Sequence, residues 1–361
     1  MSSAIAAMFL AAAIFAAALA YGAGRFLATQ SFLADLPNHR SAHSRPTPRS
    51  GGVAIFIGWM TAMIMLSVFF EFTGVASPWP RFMGLAAAAF VIGLIDDWKT
   101  LPALLKLALE VALAVSFVIL TGAVASLGLP FIVEAAISVF WIVSFMNAYN
   151  FMDGINGIAA AAAIFVLAAV SVASAGAGLV LWAAAALVLA FAILGFLPLN
   201  IPKARLFMGD GGSLFIGFVV SAFAVILSAE AGGAVSGLFV PTAFMAFLFD
   251  VAFTLGHRAM RRRNLLAAHH EHLYQLMARQ GRSHVSVSAI YLMLTAFSTI
   301  IAIFANDLGG LWPYFAPAFL FAVFMAPALR IYQQSKKSGF FDAKKTRRNP
   351  ILDVATPEAA E

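Results

Sequence analysis

The sequence contains no cysteine and few charged residues. Of its 361 residues, 11% are Asp, Glu, Lys or Arg, whereas 62% are hydrophobic and the mean hydropathy is +0.93. The lack of cysteine excludes disulfides, a thiolate nucleophile and a cysteine zinc site. The lack of charge excludes an ordinary soluble domain, in which about a quarter of the residues are charged. The composition therefore predicts an all-α polytopic membrane protein.

Long apolar runs predict about 10–11 transmembrane helices. The longest run, from Ile155 to Leu197, would need about 65 Å as one helix, so it must turn near Ser174–Gly178 to fit a bilayer core of about 30 Å. The predicted spans are 4–28, 51–70, 82–95, 103–121, 131–146, 155–173, 179–197, 213–229, 238–256, 286–305 and 311–331. We thus expect one transmembrane domain over residues 1–331 and a charged, disordered tail over residues 332–361.

The distribution of Lys and Arg predicts the orientation of these helices. With eleven spans, all of the 22 basic residues except Arg81 fall on one side of the membrane. Basic loops stay in the cytoplasm, so the N-terminus is predicted outside and the C-terminus in the cytoplasm. A net charge of +6 could indicate nucleic-acid binding, but the basic residues are placed as the positive-inside rule requires. We therefore expect anionic membrane lipid as a partner and no nucleic acid.

Short polar segments interrupt the apolar runs, and all of them are predicted on the cytoplasmic side. They are Asp35–Gly52, Asp96-Asp97, Asn147–Gly157, Phe207–Ser213 and His269–His272. A random scatter of polar residues would not place every cluster on one face. Ionisable groups are costly near a membrane and usually mark function. The pattern therefore predicts an enzyme whose active site lies at the cytoplasmic membrane surface.

Asp96, Asp97 and Asp210 are the candidates for metal and proton chemistry. Two adjacent carboxylates at a helix end can bind a divalent cation or act as a base, although such a pair alone is more often a solvated helix end. Asp210 lies among three glycines, in a turn whose N–H groups can meet a pyrophosphate, and Ser213 is expected to cap the next helix. Mg²⁺ takes one or two protein carboxylates plus substrate phosphates, so we predict Asp210 as its ligand.

Four polar residues repeat at every third position after the fifth span, namely Asn147, Asn150, Asp153 and Asn156. This spacing predicts that all four share one face of a helical turn. Their amides can donate to and accept from a nucleotide or a phosphate, and a carboxylate can orient a sugar hydroxyl. Four aligned polar groups exceed what a helix cap needs, so we predict that this face binds substrate.

Two further groups are candidates for substrate binding. Lys106 and Glu110 lie four residues apart in the fourth span, either as a self-neutralising pair or with Lys106 facing a phosphate. His269, His270 and His272 follow a run of arginines but lack the His-Glu-x-x-His spacing of a zinc site. These imidazoles fit either a polyanionic substrate or a basic helix on anionic lipid.

Together these motifs resemble the polyprenyl-phosphate N-acetylhexosamine-1-phosphate transferases, the MraY/WecA-type superfamily of glycosyltransferase family 4. The resemblance covers roughly residues 35–285 and includes the first-loop segment, the Asp pair, the Asn/Asp-Gly segment, Phe-Met-Gly-Asp-x-Gly-Ser and the histidine loop, in the family's order. It implies a bacterial inner-membrane enzyme that transfers a sugar-1-phosphate from a UDP-N-acetyl amino sugar to undecaprenyl phosphate. It also implies that UMP is released and that Mg²⁺ or Mn²⁺ is used, and it is compatible with a homodimer.

The resemblance further implies roles for the candidate residues. Asp210 would bind the metal, one of the two adjacent aspartates would position or deprotonate the lipid phosphate, and the histidine loop would contact the donor. Phosphate and nucleotide would be held by Lys106, Asn150 and Asp153. Phosphoryl transfer needs an in-line nucleophile and charge neutralisation, which these residue types supply.

Three features distinguish the chain within this family. Asn156 stands where the family often has a second Asp, and Glu110 stands where a neutral amide is expected. The histidine loop lacks the three consecutive histidines that are expected of the peptidoglycan branch, and it resembles the O-antigen and capsule initiators instead. We therefore expect a small N-acetylated amino sugar in the donor. The alternative is a lipid-carrier flippase, which would place ionisable groups near the bilayer midplane and carry internal repeats.

Overall fold

A computed structural model describes residues 3–30, 33–35, 47–70, 78–122, 127–265 and 269–341. The chain is an all-α polytopic membrane protein, as its composition predicted. The helices are α1 (Ser3–Leu27), α2 (Gly51–Phe70), α3 (Trp79–Lys99), α4 (Ala103–Thr121), α5 (Phe131–Met152), α6 (Ile158–Gly176), α7 (Val180–Asn200), α8 (Gly209–Glu230), α9 (Phe239–Ala243), α10 (Met245–Met260), α11 (Leu273–Arg279), α12 (His284–Leu308) and α13 (Trp312–Lys337). Two short antiparallel strands, β1 (Ala34–Asp35) and β2 (Thr47–Pro48), precede α2.

Ten helices of the described ranges are long and apolar enough to cross a membrane. The predicted span 238–256 is not continuous, because α9 ends at Ala243 and α10 is a separate helix of 16 residues, about 24 Å long. Phe244 makes the break with φ −90° and ψ 17°. Its ring packs edge-on against Phe145 and Phe247, with centroids 5.1 Å and 5.7 Å away. This aromatic packing holds the bend.

Several helices extend beyond the predicted ends of their spans. The helix α5 continues to Met152 rather than stopping at residue 146, and α13 continues to Lys337, past the predicted border at residue 331. Hydropathy marks where apolar residues stop, whereas a helix backbone continues until a residue caps it. The rest of the predicted tail, 342–361, and residues 36–46 of the first loop lie outside the described residues.

The helix α8 forms the centre of the bundle. All residues from Gly211 to Ser228 are buried, and α8 packs against α2, α3 and α5. Small residues let helices approach closely elsewhere: a β-carbon at Gly195 would lie 2.2 Å from the carbonyl oxygen of Ala17. Because α8 is central, its first turn lies among the ends of the neighbouring helices, and Asp210 lies in that turn.

Candidate active site

Asp96, Lys106 and Asp210 form a linked cluster where α3, α4 and α8 meet. Nζ of Lys106 donates to Oδ2 of Asp96 at 2.7 Å and to Oδ2 of Asp210 at 2.9 Å. The backbone N–H of Leu101 donates to the other oxygen of Asp96 at 2.7 Å. Both oxygens of Asp96 are thus engaged, and Lys106 is only 15% exposed. Asp96 therefore positions the lysine that bridges it to Asp210.

Asp97 contacts the first turn of α8. Its Oδ2 accepts a hydrogen bond from the N–H of Gly211 at 2.8 Å, which engages one of the donors that we predicted for a pyrophosphate. The prediction that Ser213 caps the helix is wrong. Gly209, in the left-handed region at φ 75°, starts α8 four residues earlier and leaves Ser213 inside the helix.

Asn147 and Asn150 project from the last turns of α5 towards this cluster. Nδ2 of Asn150 donates to Oδ1 of Asp210 and to the hydroxyl of Ser213, both at 2.8 Å. Nδ2 of Asn147 donates to the carboxylate of Glu110. Glu110 is fully buried, so this hydrogen bond supplies the partner that a carboxyl group at membrane depth needs. The two amides thus tie α5 to α8 and to α4.

The other two polar residues of this segment lie beyond the end of α5. Asp153 directly follows the helix, and its burial raises the pKa of its carboxyl group well above the ordinary value, with a further contribution from the charges of Asp210 and Asp97. Nδ2 of Asn156 donates to the carbonyl of Pro202 at 3.2 Å. The predicted common helical face therefore holds for Asn147 and Asn150 only, since the helix ends before Asp153.

Asp250 holds the histidine loop in place, and the sequence analysis missed it. This fully buried carboxylate of α10 accepts from the backbone N–H groups of Leu273 and Tyr274 at 2.9 Å and 3.1 Å. It also accepts from Tyr291, and its Oδ1 lies 3.1 Å from Nδ1 of His272, which requires a proton on that nitrogen. The sequence signal that could have identified Asp250 is its position as the single carboxylate in the run 238–256, because a charged group in an apolar run needs partners.

The three histidines of the loop have different environments. His272 is 3% exposed and caps α11, with its ring 4.9 Å from that of His269. Burial lowers the pKa of His269 to about 4, and the neighbouring His272 and Arg258 contribute to the shift. A histidine with this pKa is neutral at pH 7, so His269 can offer a hydrogen bond but no charge. His270 is exposed.

Tyr274 joins the histidine loop to the polar segment after α5. Its hydroxyl donates to the carbonyl of Phe151 at 2.9 Å. A β-carbon at Gly154 would lie only 2.0 Å from that hydroxyl, so any larger residue there would displace the Tyr274 side chain. The two segments that were predicted to bind substrate are thus in direct contact.

The charge balance of the site suits a divalent cation. The site has four carboxyl groups, those of Asp96, Asp97, Asp153 and Asp210, and two cations that act on them: Lys106 pairs with Asp96 and Asp210, and the charge of Arg49 acts on Asp97. Across the described ranges, no three His, Asp or Glu side chains are spaced to hold a metal ion by themselves. Mg²⁺ does not need such a cage, since it usually takes one or two carboxylates and completes its shell with phosphate and water.

Comparisons with known proteins give matches over most of the chain. Residues 79–228, from α3 to α8, match glycosyl transferase family 4. A probable undecaprenyl-phosphate N-acetylglucosaminyl 1-phosphate transferase of Bacillus subtilis is 29% identical over 304 aligned residues, covering 81% of this chain and 82% of the relative. A decaprenyl-phosphate N-acetylglucosaminephosphotransferase of Mycobacterium tuberculosis is 31% identical over 328, covering 80% of each.

A more distant similarity reaches the peptidoglycan branch. A phospho-N-acetylmuramoyl-pentapeptide-transferase of Staphylococcus carnosus is 28% identical over 227 aligned residues, covering 57% of this chain and 68% of the relative. The N-acetylglucosamine transferases match more of the chain. The chain therefore belongs to glycosyl transferase family 4, the superfamily of polyprenyl-phosphate N-acetylhexosamine-1-phosphate transferases.

Proposed function

We propose that this chain transfers N-acetylglucosamine-1-phosphate from UDP-N-acetylglucosamine to a polyprenyl phosphate and releases UMP. The observation that carries the proposal is the network in which Lys106 bridges Asp96 and Asp210 while Asn150 donates to Asp210. The choice of sugar is supported by the names of the two relatives that match about four fifths of the chain. The cluster lies at helix ends rather than at mid-span, which disfavours the flippase alternative.

The network suits the displacement that this transfer requires. An oxygen of the lipid phosphate attacks the sugar-bearing phosphorus, and the bond from that phosphorus to the uridine phosphate breaks, so UMP leaves. Lys106 is held to face developing negative charge, and Asn150 keeps Asp210 in position. Asp97 is not paired with Lys106, so we assign Asp97 to orient the lipid phosphate or to accept its proton.

We further propose Asp210 as the protein ligand of Mg²⁺. Asp210 is 34% exposed, so an ion and a substrate can reach it, and the surplus of carboxylates over lysine leaves negative charge to balance. When bound, the ion would neutralise the pyrophosphate of the donor. Mn²⁺ has similar ligand preferences and would be an alternative.

The remaining candidate residues are assigned to the donor. We propose that Asp153, Asn147 and the loop of His269–His272 contact the nucleotide sugar. Asn156 would support donor binding indirectly, because its hydrogen bond to the carbonyl of Pro202 anchors the segment that follows α5. The basic residues gather on the same side as the cluster, so we propose that the site faces the cytoplasm at the bacterial inner membrane. UDP-sugars would reach it from solution, and the polyprenyl phosphate from the bilayer.

A panel of donors tests the proposed function. Purified protein with undecaprenyl phosphate and Mg²⁺ should release UMP from UDP-N-acetylglucosamine and far less from UDP-N-acetylmuramoyl-pentapeptide. Chelation with EDTA should stop the release, and Asp210→Asn should slow it about a hundredfold, since it weakens the ion's ligand. Movement of labelled lipid across vesicles without UMP formation would instead establish the flippase, and full turnover by Asp210→Asn would remove the metal assignment.

Gly93 tests whether the position of Asp210 matters for the reaction. A β-carbon at Gly93 would lie 2.1 Å from the carbonyl oxygen of Asp210, so Gly93→Ala must push the first turn of α8 away from α3. Displacement of Asp210 by about 1 Å should cut turnover about thirtyfold. Gly84, on the same helix, has open space and serves as the control, with Gly84→Ala expected to keep full turnover. Equal rates for the two variants would contradict the assignment.

A further inference from the structure

Two consecutive phenylalanines after α13 fold back onto the loop that carries the histidines. Gly339, in the left-handed region at φ 72°, ends the helix, and the N–H of Phe340 donates to the carbonyl of Ser335 at 3.1 Å. Phe341 follows and is only 8% exposed. The sequence around this pair is charged, so burial of an apolar ring here points to a specific contact within the protein.

Arg263 connects Phe341 to the histidine loop. Nη2 of Arg263 donates to the carbonyl of Phe341 at 3.1 Å, while Nη1 donates to Glu271 at 2.6 Å. The ring of Phe341 lies under the guanidinium of Arg261, 4.9 Å from its centre, and beside the ring of Tyr332, also at 4.9 Å. The planar guanidinium can hold both acceptors at once, so the tail and the loop share one donor group.

Arg279 repeats this arrangement for Phe340. Its Nη2 donates to the carbonyl of Phe340 at 3.3 Å and its Nη1 to the carbonyl of His270 at 3.4 Å. The same guanidinium lies 4.5 Å from the centre of the Phe340 ring. Next to Arg279, the side chain of Gln280 donates to the hydroxyl of Ser335 at 2.9 Å, which fastens α11 to α13. Each phenylalanine is therefore held by an arginine that also holds the histidine loop.

We propose that Phe340 and Phe341, together the aromatic clip, position the histidine loop for binding of the nucleotide sugar. This inference rests on the proposed contact between that loop and the donor. The rings of the clip pack against Arg261 and Arg279 and so place the two backbone carbonyls that accept from Arg263 and Arg279, and the clip contacts neither reactant. None of its described contacts reaches the cluster around Lys106. Loss of the clip should therefore weaken donor binding and leave the chemical step and lipid binding unchanged.

Substitutions in the full-length chain test the clip by steady-state kinetics. Phe340→Ala combined with Phe341→Ala should raise the KM for UDP-N-acetylglucosamine about tenfold, because two rings under guanidinium groups are lost. The kcat and the KM for undecaprenyl phosphate should change less than about twofold. The pair Phe340→Tyr and Phe341→Tyr keeps both rings and should restore the donor KM. As a matched control, Phe315→Ala with Phe319→Ala alters two exposed rings of α13.

A substrate-free measurement separates the clip from the proposed function. Amide hydrogen exchange at residues 269–272 should be faster in the double-alanine variant than in the wild type and in the matched control, with little change in the melting temperature. A wild-type protein that releases no UMP from any donor would overturn the proposed function, yet this exchange result would still establish the clip as the anchor of the loop. Unchanged exchange, or an equal loss in kcat and in both KM values, would overturn the clip.

Discussion

Replacement of Lys106 by methionine should abolish about 99.9% of the transfer activity while the protein still folds. Nζ of Lys106 lies within 2.9 Å of both Asp96 and Asp210, and no other lysine or arginine has an ion pair with either aspartate in the described chain. Without this cation, the two carboxylates repel each other and repel the phosphates of both substrates. Turnover of UDP-N-acetylglucosamine and undecaprenyl phosphate by the purified variant measures the loss.

Two matched variants separate charge from geometry at this position. Lys106→Arg keeps the charge but replaces a compact ammonium group by a larger, planar guanidinium group. We therefore expect a turnover rate between that of the wild type and that of Lys106→Met. Lys99→Met removes a lysine that is exposed at the end of α3 and lies over the ring of Trp98, and it should leave turnover within about twofold. If Lys106→Met kept more than a tenth of wild-type turnover, the bridging role would be wrong.

The clustering of the candidate site residues was predictable because helix count and charge constrain their positions strongly. Asp96, Asn150 and Asp210 are far apart in sequence, and nothing in their local spacing shows that they meet. Each lies at a helix end, however, and with alternating spans those ends fall on one face. The hydrogen bonds from Lys106 and Asn150 to Asp210 confirm that the predicted polar segments come together.

The pairing of side chains across helices was not predictable, since it depends on which helices pack together. The three-residue repeat suggested one helical turn that includes all four residues, but α5 ends at Met152, and Asp153 leaves the helical conformation at φ −89° and ψ 40°. Glu110 had no explanation in the sequence, and only the contact of α4 with α5 reveals Asn147 as its donor. One oxygen of Glu110 is buried without a hydrogen-bond partner among the described residues.

The break between α9 and α10 escaped prediction for a related reason. The run 238–256 contains no charged residue except Asp250, so hydropathy alone describes one continuous span. The bend at Phe244 depends on aromatic neighbours from α5, and the orientation of α10 depends on what Asp250 binds. Such tertiary contacts outweigh local propensity, and they place the carboxylate next to α11.

Replacement of Asp250 by alanine should destabilise the protein and disorder the histidine loop. The substitution leaves five donors without their acceptor in a buried site, from Thr254, His272, Leu273, Tyr274 and Tyr291. Each unsatisfied donor is costly, so we expect the free energy of unfolding to fall by about 4 kcal/mol and the melting temperature by about 6 °C. The donor KM should rise as well, because α11 loses its N-terminal acceptor.

Asp250→Asn distinguishes the hydrogen bonds from the packing. Asparagine keeps the shape and one acceptor oxygen, but its NH₂ group faces the N–H of Tyr274 when the oxygen serves His272 and Leu273. We therefore expect about half of the alanine effect on the melting temperature. Asp307→Ala removes an exposed carboxylate near the end of α12 and controls for the loss of charge. The assignment would be wrong if Asp250→Ala had the melting temperature of the wild type and bound the donor equally well. Other contacts, such as those of the aromatic clip, would then position the histidine loop.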